Sequence, residues 1–526
     1  MQRSFISSLF LSIVLPVSLP AASRYDVVVY GGTAAGVITA VSAAREGTSV
    51  VLLEPGNHIG GMVSGGLGRT DYGRKEVIGG CSLEFFERLG RRYGEPVSWF
   101  FEPHVAEKVF REMLDEAKVP VIFKHRLREK SGVRKKGNTV TEIRMENGAS
   151  FSARIFADCT YEGDLMAQAK VSYTVGREGV SQYGESLAGV RPKDRNHMFE
   201  VKVSAYDEQG KLLPEVSAAP PGEIGAADKK VQAYNFRMCL SKDKNNQIPF
   251  TKPPNYDPKR FTLLARLLKG LVERDKRGPR LNEIMIVSPM PNNKTDVNNR
   301  GAFSTDYIGK NWDYPEASYK RRSEIWQDHT HYMQGFFYFL ANDLQVPADT
   351  QKAFNEYALA KDEFTDTSHW PHRLYVREAR RMVGSFVMTQ KDIQDELTKQ
   401  DVIGMGSYNS DSHNVQRFVQ ADGTVQNEGN MEVPVKPYHI PYRILLPKKN
   451  EAANLLVPVC FSASHVVYST VRMEPQYMIL GQAAGVAAKM AIDENAAVQD
   501  IDTQALTAKL RKQKAVMEWR PAEANE

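Results

Sequence analysis

Three small residues and one acid near the amino terminus have the spacing of a dinucleotide-binding site. Gly31, Thr33 and Gly36 stand at the intervals of a Gly-x-Gly-x-x-Gly motif, and Glu54 follows about twenty residues later. Such a turn lets backbone amides approach a pyrophosphate, and an acid at this distance can accept hydrogen bonds from ribose hydroxyls. Thr33 replaces the motif's second glycine, and its hydroxyl could instead donate to a phosphate. The spacing therefore predicts dinucleotide binding.

The segments around these residues predict a βαβ unit. Val27 to Tyr30 and Val50 to Leu53 are apolar runs typical of buried strands, and Ala34 to Glu46 has helical spacing. Gly31 would form the tight turn, and Gly36 would let helix and strand pack closely. The acid after the second strand favours a free 2′-hydroxyl, hence FAD or NAD rather than NADP. The plainer alternative is a βαβ unit whose glycines serve packing alone.

Histidines and arginines in the second half of the chain are candidates for catalysis. Oxidation of an alcohol needs a base that removes the hydroxyl proton, and histidine titrates in the right range. We predict His372 and His413 as candidate bases, with Arg373 and Arg377 orienting the substrate, and His465 as a third option. Each histidine taken alone is more often structural than catalytic.

Two further polar segments could meet a substrate. Arg377, Arg380 and Arg381 form either a salt-bridged face or a clamp on an anionic group. Ser288 to Asp306 is a predicted loop rich in amides and hydroxyls, which suits a polar, hydroxylated ligand. The alternative for this loop is an ordinary solvated segment.

Three more segments lie where open α/β sheets bind ligands. Gly60, Gly61 and Met62 belong to a glycine-rich loop whose backbone could lie along an extended dinucleotide. The predicted strand Ser152 to Ala157 runs into the small and acidic residues 158–164, at a strand's carboxyl end. The predicted helix that starts near residues 472–476 has an electropositive amino terminus.

Composition and leader restrict the class of protein. The 526 residues are 42% hydrophobic and 25% charged with a formal charge of +5, which is ordinary globular composition and disfavours nucleic-acid binding. Residues 1–23 have one early charge, an apolar stretch and small residues at the end, which predicts a signal peptide and an exported, periplasmic or extracellular protein. A membrane anchor is the alternative for this leader. No later segment is apolar enough to span a membrane.

The cysteines and the single glycine motif exclude several redox centres. Four distant cysteines show no Cys-x-x-Cys or zinc spacing, which removes a redox dithiol, a c-type haem and iron–sulfur clusters. They could pair or remain buried thiols. No second Gly-x-Gly-x-x-Gly follows a strand, so a separate NAD(P)H domain is not expected, and no metal site is predicted.

The composition along the mature chain predicts a split domain. Residues 24–172 and 432–500 have the character of an α/β nucleotide-binding domain, and residues 173–431 change to proline-rich loops and aromatic helices. Residues 501–526 predict a short helix and a charged tail.

With these segments in view, the chain resembles flavoproteins of the FAD_oxidored family. The blocks DVVVYGGTAAG, HIGGMVSGGLG, DCTYEGDLMA, HWPHRLYVREARRMVG and RMEPQYMILGQAAGVAA carry the resemblance, which extends over nearly the whole mature chain. It implies an α/β fold in which a Rossmann-like FAD-binding domain, split in sequence, carries an inserted α+β substrate domain.

The resemblance also implies the cofactor contacts. Gly31, Ala35 and Gly36 would meet the pyrophosphate, and Glu54 the adenosine ribose. Gly60, Gly61 and Met62 would lie on the ribityl and flavin side, and the remaining implied contacts are Asp158 and Gly163 near the dinucleotide and Arg472, Met473 and Gln476 at the flavin pyrimidine ring.

The predicted function is oxidation of a small polar or carbohydrate-like substrate by hydride transfer to flavin N5. The electrons would then leave to a quinone, a diffusible acceptor or oxygen. The alternative from another class is an exported carbohydrate-active lyase or binding protein with a vestigial nucleotide fold. A reductase that runs in the opposite direction would use the same residue types.

Overall fold

The computed structural model describes residues 23–520. Except for Ser23, the predicted signal peptide lies outside the described residues. Among those described, no helix is both long enough and apolar enough to cross a membrane.

The described residues form twelve α-helices. They are α1 (Ala34–Arg45), α2 (Gly80–Tyr93), α3 (Pro103–Glu116), α4 (Asp164–Gln168), α5 (Val180–Tyr183), α6 (Thr262–Asp275), α7 (Tyr319–Asn342), α8 (Ala348–Phe354), α9 (Gln390–Gln394), α10 (His465–Val471), α11 (Glu474–Asp493) and α12 (Thr503–Lys512).

The strands are mostly short. They are β1 (Ser23–Tyr30), β2 (Val50–Leu53), β3 (Val121–Ile122), β4 (Val133–Lys136), β5 (Thr139–Arg144), β6 (Ser150–Asp158), β7 (Tyr173–Thr174), β8 (Met238–Ser241), β9 (Gln247–Ile248), β10 (Met285–Met290), β11 (Lys294–Asn299), β12 (Ala358–Ala360), β13 (Arg381–Met382), β14 (Val402–Gly406), β15 (Ser410–Ser412), β16 (Gln416–Val419), β17 (Val425–Glu428), β18 (Met431–Val433), β19 (Tyr438–Pro441) and β20 (Leu455–Leu456).

A parallel sheet organises the first and last parts of the chain. Strands β3, β2, β1 and β6 lie side by side in that order and parallel, and β20 pairs with β6 in parallel register. Strands β5 and β4 extend the β6 side as an antiparallel meander. A strand from residue 455 thus completes a sheet begun at residue 23, as expected for a domain split in sequence.

Helix α1 is buried on all sides because it lies between the sheet and helix α11. The two helices approach closely through small residues: a Cβ added at Gly481 would lie 2.5 Å from the carbonyl oxygen of Ala35, and one at Gly485 would lie 2.6 Å from that of Thr39. Larger side chains would push α11 away from α1. This packing places the amino termini of both helices at the same edge of the sheet.

The segment between the two parts forms its own antiparallel sheet, in the order β10, β11, β8, β12, β9, together with the long helices α6 and α7. The predicted fold class, a Rossmann-like α/β domain with an inserted α+β region, is therefore confirmed. The predicted domain boundaries stay predictions.

Two predictions about local structure have clear outcomes. The predicted loop Ser288 to Asp306 is wrong over part of its length, because it contains the last residues of β10 and all of β11, and the turn between these paired strands holds Asn292 and Asn293 with positive φ. Ser288, Asn298 and Asn299 in these strands line a polar cavity, which hides the alternation expected of a strand. The four cysteines are free and buried, so the thiol alternative holds.

Candidate functional site

The turn between β1 and α1 is held by hydrogen bonds that occupy Thr33. The Thr33 hydroxyl accepts from the Gly36 amide at 3.2 Å and donates to the Cys159 carbonyl at 2.7 Å. A hydroxyl has one proton, so Thr33 caps α1 and ties it to β6 instead of donating to a phosphate. A Cβ at Gly36 would lie 1.9 Å from the Gly31 carbonyl oxygen, which leaves room only for glycine.

The first turn of α1, which includes Ala35, points free backbone amides out of the sheet edge. The opening N–H groups of a helix have no acceptor within the helix, and the helix dipole makes this end positive. Gly31 has φ of +99°, a conformation that other residues rarely adopt. The turn is therefore suited to an anionic group such as a pyrophosphate.

Glu54 lies at the carboxyl end of β2, beside this turn. Its carboxylate is buried and accepts from the amide of Gly32 at 2.7 Å and from that of Gly56 at 2.6 Å. Burial raises the pKa of Glu54. Each carboxylate oxygen keeps a further lone pair, so the group can still accept from a ribose hydroxyl.

The glycine loop runs back along the same edge. Gly60 and Gly61 have φ of +95° and +58°, and the Gly60 amide donates to the Gly32 carbonyl at 2.7 Å. The Met62 amide donates to the Tyr161 hydroxyl at 2.9 Å. A Cβ at Gly61 would meet that hydroxyl at 2.3 Å, so glycine is needed for the loop to lie against the end of β6.

Asp158 organises the end of β6 rather than presenting a free carboxylate. It accepts from the Thr160 amide at 3.1 Å, the Thr160 hydroxyl at 2.7 Å and the Met166 amide at 2.8 Å. Burial raises its pKa to about 6. Gly163, with φ of +67°, begins α4 beside it. Asp158 thus positions the backbone next to Gly31 through Thr160.

Buried polar atoms without partners gather at the start of α11. Both amide atoms of Gln476, Oε2 of Glu474 and Nε of Arg472 are buried and make no hydrogen bond within the described residues. Met473 is the residue that precedes the helix. Orphaned buried groups are costly, so this cluster fits a ligand that supplies donors and acceptors together, as a flavin pyrimidine ring does.

A polar cavity of about 200 Å³, here called the inner cavity, lies between the inserted region and the residues that follow the glycine loop. Arg69, which follows the loop, lines it, and Arg472 donates to the backbone carbonyl of Asp411 in its wall at 2.7 Å. His413 also lines the cavity, and its Nδ1 lies 2.7 Å from Oδ2 of Asp306. Arg472 thus contacts the wall of the cavity that His413 lines.

The pair of His413 and Asp306 is arranged for proton transfer. Because Nδ1 is taken by Asp306, Nε2 is the nitrogen left for the cavity, 4.0 Å from Oδ2 of Asp411. Burial and the Arg377 guanidinium hold the pKa of His413 below its ordinary value of 6.5. His413 is thus a neutral base at neutral pH, with a carboxylate that fixes its tautomer.

Arg373 lies in a different cavity from His413. It lines a space of about 220 Å³ together with Gly31, Pro55 and Thr160. Its guanidinium lies 5.6 Å from the ring centroid of Tyr161. Arg373 was predicted to orient the substrate. Its position beside the Gly31 turn instead suits contact with a pyrophosphate, because a guanidinium binds such an anion well.

Residues 26–510 match the family described as FAD dependent oxidoreductase. This chain belongs to that family. FAD is therefore its cofactor and it is an FAD-dependent oxidoreductase, as the resemblance implied. The orphaned groups at the α11 start and the glycine turns around Gly31 and Gly61 fit that cofactor.

Solved structures of flavoenzymes and related proteins resemble this oxidoreductase at low identity. A geranylgeranyl bacteriochlorophyll reductase-like protein from Thermoplasma acidophilum is 12% identical, with 93% of this chain and 83% of that chain covered and a TM-score of 0.36. THI4 from Thermovibrio ammonificans is 16% identical over 30% of this chain and 66% of its own, with a TM-score of 0.23.

A flavin-containing monooxygenase from Stenotrophomonas maltophilia is 18% identical over 31% of this chain and 44% of its own, with a TM-score of 0.20. The oxidoreductase thus covers less than two thirds of the length of THI4 and of the monooxygenase. No protein of curated function matches the sequence significantly.

His372 does not line the inner cavity of the oxidoreductase. Its ring stacks on that of His58 with centroids 3.8 Å apart, and His58 is held by Glu107 at 3.1 Å and Asp366 at 2.9 Å. Burial and the neighbouring His58 lower the pKa of His372 to about 3. An imidazole of such low basicity is a poor proton acceptor, so the contact is better suited to holding the glycine loop against residues 364–372.

The arginines after His372 have separate roles. Arg380 pairs with Asp164 at 2.7 Å, and Arg381 with Glu178, which fits the salt-bridged alternative for both. Arg377 is buried, and its Nη2 lies 3.0 Å from Oδ1 of Asp306. It therefore steadies the acid that holds His413. The third candidate base, His465, is buried against Glu378 at 2.9 Å.

One group of side chains in the described residues could hold a metal, namely two carboxylates and an imidazole from Glu102, Glu363 and His104. The Lys294 ammonium lies among them, 2.7 Å from carboxylates of both Glu102 and Glu363. A buried lysine here already supplies the positive charge. The group therefore carries no metal proposal.

Sequence reasoning did not single out Arg237, Tyr161 or Glu474 as site residues. Glu474 was adjacent to the predicted helix start, and Tyr161 stood in the segment after β6, so position offered a signal for both. Arg237 directly precedes β8 in the inserted region, and no local sequence pattern identified it as a site residue.

Proposed function

We propose that this protein is exported and oxidises a small polar, carbohydrate-like alcohol in the inner cavity. The observation that carries the proposal is the 2.7 Å contact of His413 with Asp306 at a polar cavity beside the predicted flavin contact Arg472. A neutral histidine oriented by a carboxylate is what removal of a hydroxyl proton requires.

The protein's own groups would divide the work as follows. FAD, when bound, supplies the acceptor for the hydride and both electrons that leave the substrate carbon. His413 Nε2 would take the hydroxyl proton, and the substrate would leave as the carbonyl compound. Asp306 would stabilise the imidazolium that forms, and Arg377 would keep Asp306 ionised by its positive charge, consistent with the lowered pKa of Asp306.

Hydroxyl recognition is supported by the cavity lining. Ser288, Asn298 and Asn299 from the hairpin line the cavity, and Asn409 and Asn430 face them from later segments. Amides and hydroxyls can both donate to and accept from sugar hydroxyls. This lining supports a hydroxylated substrate over an apolar one.

Export and the electron acceptor are part of the same proposal. The leader's apolar stretch and small residues before Arg24 support export. The absence of a redox dithiol motif and of a second dinucleotide motif supports transfer to a quinone, a diffusible acceptor or oxygen, with a small molecule as the other partner.

Anaerobic bleaching of the flavin absorption tests the proposal. The protein from residue 24 onward is loaded with FAD and screened with sugars and sugar acids. We expect His413→Gln to slow reduction about 10²- to 10⁴-fold with FAD still bound. His372→Gln is the matched control and is expected to keep most of the rate. Equal rates in wild type and His413→Gln would overturn the assignment of the base.

A further inference from the structure

A second, outer cavity of about 270 Å³ adjoins the inner cavity. His197 and Arg300 line both cavities and so lie at the boundary between them. The two spaces together fall within the range of about 300–1,000 Å³ that small-molecule sites occupy. A ligand longer than one sugar ring could therefore occupy both.

The outer cavity has more positive than available negative charge. Arg195, Arg280 and Arg300 line it, and none of their side chains has an acidic partner among residues 23–520. Its two acids are already engaged: Glu200 accepts from Arg274, and Glu283 lies 2.7 Å from Arg277. The three free guanidinium groups favour an anion.

Arg237 offers a fixed donor inside the inner cavity. Its side chain is only 3% exposed overall, and both Nε and Nη2 donate to the carboxylate of Asp296. That fork fixes the guanidinium plane, and Nη1 is left buried with no partner. A carboxylate oxygen of a ligand would satisfy this donor and add a charge-assisted hydrogen bond.

The acidic side chains that line the inner cavity each have a partner within the protein. Their repulsion of a bound anion is therefore reduced. Glu432 lies 3.3 Å from His197, and Asp411 lies 3.9 Å from Arg472. Asp71 accepts from the Tyr408 hydroxyl at 3.2 Å; burial raises the pKa of Asp71, and the charge of Arg237 opposes that shift.

We propose that the substrate is a short chain of acidic sugar units, with the carboxylate of the reacting unit on Arg237 and that of the next unit in the outer cavity among Arg195, Arg280 and Arg300. This deepens the proposed function and rests on it for the chemistry at His413. Binding of the second carboxylate depends only on the outer arginines.

Calorimetric titration of the FAD-loaded protein tests the proposal. The probes are galacturonic acid, its linear trimer, the corresponding mannuronic acid pair, and maltotriose as a neutral trimer. We expect at least one uronate trimer to bind about tenfold or more tightly than its monomer, and more tightly than maltotriose by a similar factor. The affinity should fall with added salt.

Variants of exposed arginines distinguish a loss of binding in the outer cavity from a general loss of structure. Arg195→Ser combined with Arg280→Ser should weaken trimer binding about tenfold, toward that of the monomer. Arg91→Ser, which removes an exposed arginine on α2, is the control and should leave trimer binding unchanged. Arg237→Lys should weaken the monomer and trimer alike.

The outcomes distinguish this inference from the proposed function. If no uronate trimer binds better than its monomer and maltotriose, or if the double variant binds the trimer like wild type, the acidic-chain substrate is wrong. If a trimer binds as expected but bleaches no flavin, the inference on binding stands and the proposed oxidation is wrong. If only neutral sugars bleach the flavin, the proposed oxidation stands and the proposal of an acidic-sugar substrate is wrong.

Discussion

The Tyr161 hydroxyl donates a 2.7 Å hydrogen bond to Oε1 of Glu474 and accepts one from the Met62 amide at 2.9 Å. It thereby joins the end of β6, the glycine loop and the start of α11 at one point. Glu474 is buried, its Oε2 has no partner, and burial raises its pKa to about 8. The carboxyl is therefore protonated at neutral pH.

Glu474→Gln should preserve this contact and remove its pH dependence. The folded-state pKa is raised above the ordinary value of 4.5, so the contribution of Glu474 to stability is complete below that value and lost as pH rises to about 8. Over this window the free energy of unfolding of wild type should fall relative to the variant by up to about 1.4 kcal/mol per pH unit. Urea unfolding of both proteins at several pH values measures this. A constant difference would show that Glu474 ionises normally.

Arg373→Gln should weaken FAD binding. The residue lines the cavity that contains Gly31, so its loss removes a cation next to the predicted pyrophosphate position. We expect the dissociation constant of FAD to rise about ten- to a hundredfold, measured by flavin fluorescence, with Arg91→Ser as control. If FAD affinity is unchanged and only the half-saturating substrate concentration rises, Arg373 orients the substrate, as the sequence first suggested.

The rate of flavin reduction by substrate should fall at acidic pH. A base works when deprotonated, and burial together with the charge of Arg377 holds the pKa of His413 below 6.5, while Asp306 and Asp411 oppose this shift. The rate should therefore be near its maximum at neutral pH and decline as pH falls through that lowered pKa. Stopped-flow reduction from pH 4.5 to 8 measures it. A rate that still rises steeply above pH 7 would point to another base.

Asp306→Asn should slow reduction without moving the histidine far. Asparagine can still contact Nδ1 but no longer stabilises the imidazolium, so we expect a loss of roughly tenfold to a thousandfold in rate. The negative charge of Asp306 raises the pKa of His413, so its removal should shift the acidic limb to lower pH. A lower rate with an unmoved limb would indicate a general loss of structure instead.

Gly36→Ala should disrupt the dinucleotide turn. The added Cβ would lie 1.9 Å from the Gly31 carbonyl oxygen, which is backbone and can move only with the turn. We expect a loss of stability of about 1–3 kcal/mol or more, together with weaker FAD binding. Gly179→Ala is the control, because that glycine has φ of −77° and an added Cβ would lie 3.2 Å from its nearest neighbour. Equal thermal unfolding temperatures for the two variants would contradict the close packing.

The βαβ unit could be predicted because its signals are local, although β1 begins at Ser23, before the predicted Val27. Strand β2 spans Val50–Leu53 as expected, and α1 starts at Ala34. Continuous β-branched runs, a glycine turn and helical spacing all act within about a dozen residues. Asp158 and Thr33 show the limit of such reasoning: their positions were predicted, but hydrogen bonds within the turn take up their side chains.

The hairpin β10–β11 was missed because its alternation is masked. Ser288, Asn298 and Asn299 are polar although they lie in strands, since they line a cavity and not an apolar core. A strand that borders a polar site loses the period that identifies strands in a sequence.

The sequence alone was enough to predict the family and the cofactor, because glycine turns and buried strands leave local patterns. The tertiary structure alone shows that His413 lines the inner cavity while His372 does not, and that Arg373 lines the cavity beside Gly31. Asp306 meets His413 across 107 residues, and the inner cavity forms where the inserted region meets Arg69 and Asp71. Contacts of that separation depend on how whole elements pack, and no short stretch of sequence encodes them.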